Sequence, residues 1–239
     1  MPTLLALDSS TDSLAIALTG PDGSTSLFEG SGGPKASEQI VPECMRLLAE
    51  AQLSLADVYA IAFGRGPGAF TGLRTACAVA QGLALGAAKP VLPLDSLMLV
   101  AEDARLQAGG SIDTPIWVAM DARMNEIYAA EYVFEQGRWR VLHEPALYAP
   151  EVLIERWNQP KAVAGSALRV FAQLSGEFER SWPEAASRAK ALASLARQAY
   201  STDALLDAAE AQPLYVRDKV ALTTAERLQA NAAKGGAKA

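Results

Sequence analysis

Gly64-Arg65-Gly66-Pro67-Gly68-Ala69-Phe70-Thr71-Gly72-Leu73-Arg74 decides how this chain folds, because it joins two segments of different periodicity. Upstream, Val58 to Phe63 alternates and ends in β-formers, which predicts a strand running into the glycines; Ala69 onward predicts a helix. The unit is therefore strand, turn, helix, with Gly64, Gly66, Gly68 and Gly72 as a structural glycine turn. Glycines allow close backbone approach, and a helix N-terminus can hold an anion on its free N–H groups. The spacing is neither Gly-x-Gly-x-x-Gly nor a P-loop, since no Lys-Ser/Thr pair follows. A tight structural turn is the first reading and anion binding the second.

The helix that follows carries no charged residue from Thr75 to Ala88. Leu73, Ala76, Cys77, Ala80, Leu83 and Ala84 form one stripe at helical spacing, and the smaller Thr75, Val79, Gly82 and Gly86 form another. A helix without a polar face is expected to be covered all round. One side can lie on a sheet; the small-residue side needs a second cover, either a helix of this chain or a helix of another protein.

The 239 residues suit one large or two small domains, and 50% hydrophobic content suffices for substantial cores. With 21 Lys plus Arg against 27 Asp plus Glu the formal net charge is −6, which argues against a continuous nucleic-acid-binding surface. The end of the chain is more basic, with Arg217, Lys219, Arg227, Lys234 and Lys238 against Asp218 and Glu226; it reads as a solvated terminus or a phosphate contact. Cys44 and Cys77 both sit in apolar helical patterns and read as buried reduced thiols rather than a disulfide or a metal site. No signal peptide and no spanning apolar run is recognised, so a cytoplasmic location with no membrane contact is expected.

In chain order, Thr3 to Leu7 and Ser13 to Leu18 read as a hairpin around Asp8-Ser9-Ser10-Thr11, with a third strand at Thr25 to Glu29. A helix at about 37–51 places Gln39, Glu43, Arg46 and Glu50 on its wet face and Ile40, Cys44, Leu47, Leu48 and Ala51 on its dry one, which Val41 and Met45 widen. Ser54 reads as a cap, Val91 to Pro93 as a strand, and Asp95-Ser96 as the cap of a helix from Leu97 to Gln107. Gly109-Gly110-Ser111 marks a boundary, giving domains over 1–108 and 109–239. The second begins with strands at Ile116 to Met120, Glu126 to Phe134 and Trp139 to Glu144. It continues with helix at Glu151 to Trp157, strand at Ala162 to Ala164, helices at Leu168 to Leu174 and Ala185 to Tyr200, an extended Pro213 to Val216, and a helix near 221–232. The similarity of the two halves is one of element order, the second being the smaller.

Laid out this way, the chain resembles the bacterial TsaB family of proteins for threonylcarbamoyladenosine in tRNA. The resemblance rests on five ordered blocks: Leu4 to Thr11, Gly64 to Arg74, Gln81-Gly82-Leu83-Ala84, Asp121-Ala122-Arg123-Met124, and Pro213-Leu214-Tyr215-Val216-Arg217. It implies an α/β chain with two tandem RNase-H-like domains of the actin, sugar kinase and Hsp70 type. It further implies a non-catalytic scaffold that pairs with the related TsaD subunit, which holds the metal and transfers the threonylcarbamoyl group to the adenosine beside the anticodon, with TsaE joining as an ATPase. The family's pairing surface uses the first two long helices, here about 37–51 and 70–86. The pool for such contacts is Ile40, Val41, Cys44, Met45 and Leu48 with Leu73, Ala76, Val79, Ala80 and Leu83. Without the partner the same patch suits a homodimer; tRNA is expected to touch this chain indirectly or weakly. Ala36-Ser37-Glu38-Gln39 lacks the His that members often carry before Ser-Glu, so no role for that His carries over.

The chemistry favours a scaffold. The single His143, on an expected hairpin, has no partner His or Cys nearby and reads as a packing or surface residue, so no metal and no cofactor is expected. Asp8, Ser9, Ser10 and Thr11 stand where this fold class places its first phosphate loop, and a nucleotide-binding phosphotransferase is the alternative. The loop has no glycine, however, and reads as vestigial. A peptidase is the least supported alternative, since no Gly-x-Ser-x-Gly elbow occurs and His143 lies in the other half.

Overall fold

The computed structural model describes residues 1–174, 176, 178–200 and 205–217. Its first half is a five-stranded sheet in the order β3-β2-β1-β4-β5. Strands β1 (Leu4–Asp8), β2 (Ser13–Thr19) and β3 (Thr25–Ser31) pair antiparallel, and β4 (Ala60–Gly66) and β5 (Val91–Asp95) add in parallel beside β1. Between them run helices α1 (Ala36–Glu50) and α2 (Phe70–Ala87), and α3 (Ser96–Gln107) follows β5.

Period-two alternation sorts the side chains of this sheet by size. Leu5, Leu7, Leu14, Ile16, Leu18, Ile61 and Phe63 point to the layer of α1 and α2, where they meet Ile40, Cys44, Leu47, Leu48, Ala76 and Ala80. Burial of each of the larger side chains stabilises by roughly 1.5–3 kcal/mol. The opposite face is nearly all alanine: Ala6, Ala15, Ala17, Ala60 and Ala62 pack with Leu4 against Ala189, Leu192, Ala193 and Ala196. Those last residues belong to α6 (Arg188–Ala199), so part of segment 109–239 completes the first half of the molecule.

The second sheet has the order β10-β9-β6-β7-β8, built from β6 (Ile116–Asp121), β7 (Ile127–Glu135), β8 (Arg138–Tyr148), β9 (Ala162–Ala164) and β10 (Arg180–Trp182). Read from its antiparallel edge it repeats the first sheet, a meander followed by two parallel strands. Shared element order has thus produced shared strand order. Helices α4 (Pro150–Arg156) and α5 (Ala167–Val170) cover one face, and α3 covers the other through Leu97, Val100, Ala101 and Ala104. The buried Glu102 of α3 ties the layers: it accepts from Arg105, from Trp139 Nε1 at 2.8 Å and from Gln198 Nε2 at 3.0 Å. Asp103 accepts the backbone N–H groups of Ala186 and Ser187, both at 2.9 Å, which fixes the entry into α6.

Several expectations change. Strand β10 was not foreseen, and the helix expected at 168–174 is one short helix and a 3₁₀ turn. The helix near 221–232 lies outside the described residues. Ser54 does cap, reciprocally with Asp57, but over a 3₁₀ turn. Among the described residues no helix is long and apolar enough to cross a membrane.

Both cysteines are free and buried. Burial pushes the Cys44 thiol up to about 12 and raises that of Cys77. Neither should react with a disulfide reagent in the native protein, and both should react in urea; a colorimetric thiol assay with and without denaturant checks this.

Candidate functional site

Two motifs far apart in the sequence fold into one unit. Asp8, at the end of β1, is fully buried, and both of its carboxylate oxygens are taken. Oδ1 accepts from Ser10 Oγ at 3.0 Å and from Arg188 Nη2 at 2.8 Å, while Oδ2 accepts from Ser96 Oγ at 3.1 Å. Ser9 Oγ donates to the Gly72 carbonyl at 2.8 Å, and Ala69 N–H donates to the Ser10 carbonyl at 2.7 Å. The glycines explain themselves against this loop. A methyl group at Gly64 would collide with the Asp8 carboxylate, one at Gly68 with the Ser10 carbonyl, and one at Gly72 with the Ser9 carbonyl. Only Gly68 lies in the turn itself; Gly64 and Gly66 close β4, and Gly72 stands in the first turn of α2. Gly66, at φ +117°, also passes under Leu214, whose amide donates to the Arg65 carbonyl at 2.6 Å.

The close approach these glycines allow is to the chain's own backbone and to the Asp8 carboxylate, and the cation facing Asp8 is the chain's own Arg188. Gly72→Ala is accordingly expected to destabilise by about 2–4 kcal/mol, in the range of overpacking and a broken buried hydrogen bond together. Urea unfolding followed by circular dichroism gives the value.

The helix pair α1 and α2 sorts its apolar residues into two sets. Ile40, Cys44, Leu48, Leu73, Ala76 and Ala80 are in the core. Val79 and Leu83 are partly buried against its edge. Val41 and Met45 are 39% and 43% exposed, so they widen no dry stripe; they stand outside it. Ala51, expected on the dry face, is also exposed. On α2 the outward line is Thr71, Arg74, Ala78, Gly82 and Leu85, spaced three or four apart, and Leu85 is 58% exposed. A Cβ at Gly82 or Gly86 would find no atom of the described residues within 4 Å. An interior helical glycine costs about 1 kcal/mol relative to alanine, and no packing among the described residues offsets it.

Between the two halves lies a cleft of about 370 Å³, bordered by Ser10, Thr11 and Phe70 on one side and Asp121, Arg123 and Arg217 on the other. Arg123, Met124 and Asn125 are consecutive left-handed residues, with φ of +62°, +57° and +59°. Arg217 holds them, donating to the carbonyls of Ala122 at 3.0 Å and Arg123 at 3.3 Å and to the Glu126 carboxylate at 2.6 Å. Arg123 reaches across to Asp12 at 2.8 Å. Four of the five sequence blocks therefore meet at this cleft, and the fifth, through Gln81 Nε2, donates to the Ala208 carbonyl at 2.9 Å. His143 pairs with Glu131 at 2.6 Å and stacks on Trp117. Among the described residues no group of three or more His, Cys, Asp or Glu is placed to hold a metal ion.

Known proteins match this arrangement along most of its length. A family model described as TsaD, tRNA N6-adenosine threonylcarbamoyltransferase, matches residues 34–230. The tRNA threonylcarbamoyladenosine biosynthesis protein TsaB of Escherichia coli K12 is 32% identical over 225 residues, covering 91% of this chain and 96% of that protein. The chain belongs to the TsaB family. The TsaB of Haemophilus influenzae is 33% identical over 228 residues, with 91% and 94% covered. The solved structure of YeaZ from Pseudomonas aeruginosa superposes with a TM-score of 0.80 at 33% identity, over 90% of this chain and all of that one. The two sheets of this TsaB-family chain are accordingly RNase-H-like halves of the type shared with the wider TsaD family.

Against that background, the residue missed by sequence reasoning is Arg188. It reaches Asp8 across 180 positions of chain, and nothing local in Ser187-Arg188-Ala189 announces the pairing. Arg217, read as one of the basic residues of the chain's end and as part of a block of the resemblance, instead holds the carbonyls of Ala122 and Arg123 and the Glu126 carboxylate.

Proposed function

We propose that this TsaB-family chain is a non-catalytic subunit for threonylcarbamoyl transfer to adenosine 37 of tRNAs reading codons that begin with A. It acts by docking the catalytic TsaD subunit, with TsaE joining the assembly. The observation that carries this reading is the outer face of α2, where, among the described residues, nothing lies within 4 Å of where a side chain would begin at Gly82 or Gly86. These two glycines with the exposed Leu85 on α2, and the exposed Val41 and Met45 on α1, suit the close approach of another helix. The Asp8 loop supports the non-catalytic half of the reading. Its carboxylate is buried, saturated and paired with Arg188, so it offers neither a free acid nor a vacant metal position. In the absence of TsaD the same face suits a two-fold homodimer, and tRNA is reached through the partners.

Pairing is tested directly by Val79→Arg. Val79 lies at the rim, partly buried against the core edge, so the long side chain can run outward with the fold intact. The variant should behave as a folded monomer by circular dichroism and gel filtration and should no longer co-purify with TsaD. Retained co-purification would remove the face from the interface.

A further inference from the structure

We infer that Arg74 is a pre-oriented anchor for a carboxylate on the protein that covers α2. The inference rests on the docking role proposed above and specifies the chemistry of what docks.

Arg74 continues the outward line of Ala78, Gly82 and Leu85 towards the start of the helix, and it is exposed. Its side chain is nevertheless held. The guanidinium lies over the Phe70 ring at 3.9 Å, its Nε donates to Tyr215 Oη at 3.0 Å, and the two rings pack at a tilt of 35° with their centroids 5.0 Å apart. Nε is the only Arg74 nitrogen with a hydrogen-bond partner among the described residues; both terminal nitrogens are left over. An arginine fixed on an aromatic face with its fork free presents the geometry that a carboxylate fills with two parallel hydrogen bonds. Holding it beforehand removes the side-chain ordering that binding would otherwise require.

The position is otherwise unfavourable. A cation near a helix N-terminus faces the positive end of the backbone dipole, and the first turn of α2 contains no acidic residue to offset it. Both features favour an incoming anion. A protein carboxylate fits better than an RNA phosphate, because the outward line beyond Arg74, through Ala78, Gly82 and Leu85, is apolar, and the exposed Arg46 of α1 is already paired with Glu43 and Glu50 at 2.6 Å each. The net charge of −6 points the same way. The surface therefore suits a helix with small or apolar contacts along its length and an Asp or Glu at one end.

The test is the affinity of the full-length chain for purified TsaD by calorimetry, in low and high salt, for the parent, Arg74→Ala, Arg74→Lys and Phe70→Leu, with Val79→Arg beside them. Losing a charge-assisted interfacial bond should weaken Arg74→Ala about 10- to 100-fold, with most of the parent's salt dependence gone. Arg74→Lys should recover only part of this, and Phe70→Leu, which frees the guanidinium without removing it, should lie between. If Val79→Arg abolishes pairing while Arg74→Ala matches the parent, the anchor is refuted and the docking face stands. If the parent itself fails to bind, the docking proposal fails first. If Arg74→Ala spares TsaD affinity but lowers the affinity of the complex for tRNA, the group Arg74 meets is a phosphate and the inference is overturned.

Discussion

Gly82→Arg should yield a protein as stable as its parent, or up to about 1 kcal/mol more stable, that binds TsaD at least about 100-fold more weakly. The two effects have opposite signs because they arise in different places. Among the described residues, a Cβ at position 82 meets nothing within 4 Å, and replacing an interior helical glycine lowers the conformational entropy of the unfolded state. Across the docking face, a long charged side chain must be buried or must hold the helices apart. A variant that merely damaged the fold would lose both quantities together. Thermal unfolding of the free chain and calorimetric titration with TsaD separate them, and unchanged affinity would mean that no helix approaches α2 closely.

Arg188→Met should destabilise the chain by about 3–5 kcal/mol, a large share of the total stability of a domain. The removed side chain is 7% exposed and its guanidinium contacts Asp8, which has no exposed surface, so the carboxylate is left buried beside two hydroxyls with no cation. The double variant Asp8→Asn with Arg188→Met should recover most of the loss, since removing both charges leaves no uncompensated one. For a chain of this length the single variant should melt roughly 10 °C lower. If it melts with the parent, the pair does not hold the loop, and the case for an occupied, non-catalytic Asp8 weakens.

What could be read beforehand follows physical range. Strands β1, β2 and β4 were legible because alternation within each strand separates large from small side chains, and α2 because fourteen residues without charge cannot face water on any broad side. Strand β10 was not, since Arg180-Ser181-Trp182 forms by lying against β9 and has too few residues to show a period. Val41 and Met45 were assigned to the dry side of α1 because an apolar flank looks the same whether or not a neighbour covers it; only the placement of α2 shows it uncovered. The glycines were recognised as structural, but their purpose is to admit Asp8, Ser9 and Ser10, whose position depends on strand pairing rather than on the glycine stretch itself. The Asp8 loop looked like a vestigial phosphate site for want of glycine, and Arg188 gives a second, independent reason that lies beyond any local reading.

The most direct measurement is threonylcarbamoyl transfer to unmodified tRNA by purified TsaD and TsaE with the precursor, with and without this chain, alongside ATP hydrolysis by the chain alone. The account predicts transfer that depends on the chain, is lost with Gly82→Arg, and is accompanied by no hydrolysis from the isolated chain. Turnover of ATP by the chain on its own, abolished by Asp8→Asn, would contradict it and make the Asp8 loop an active site.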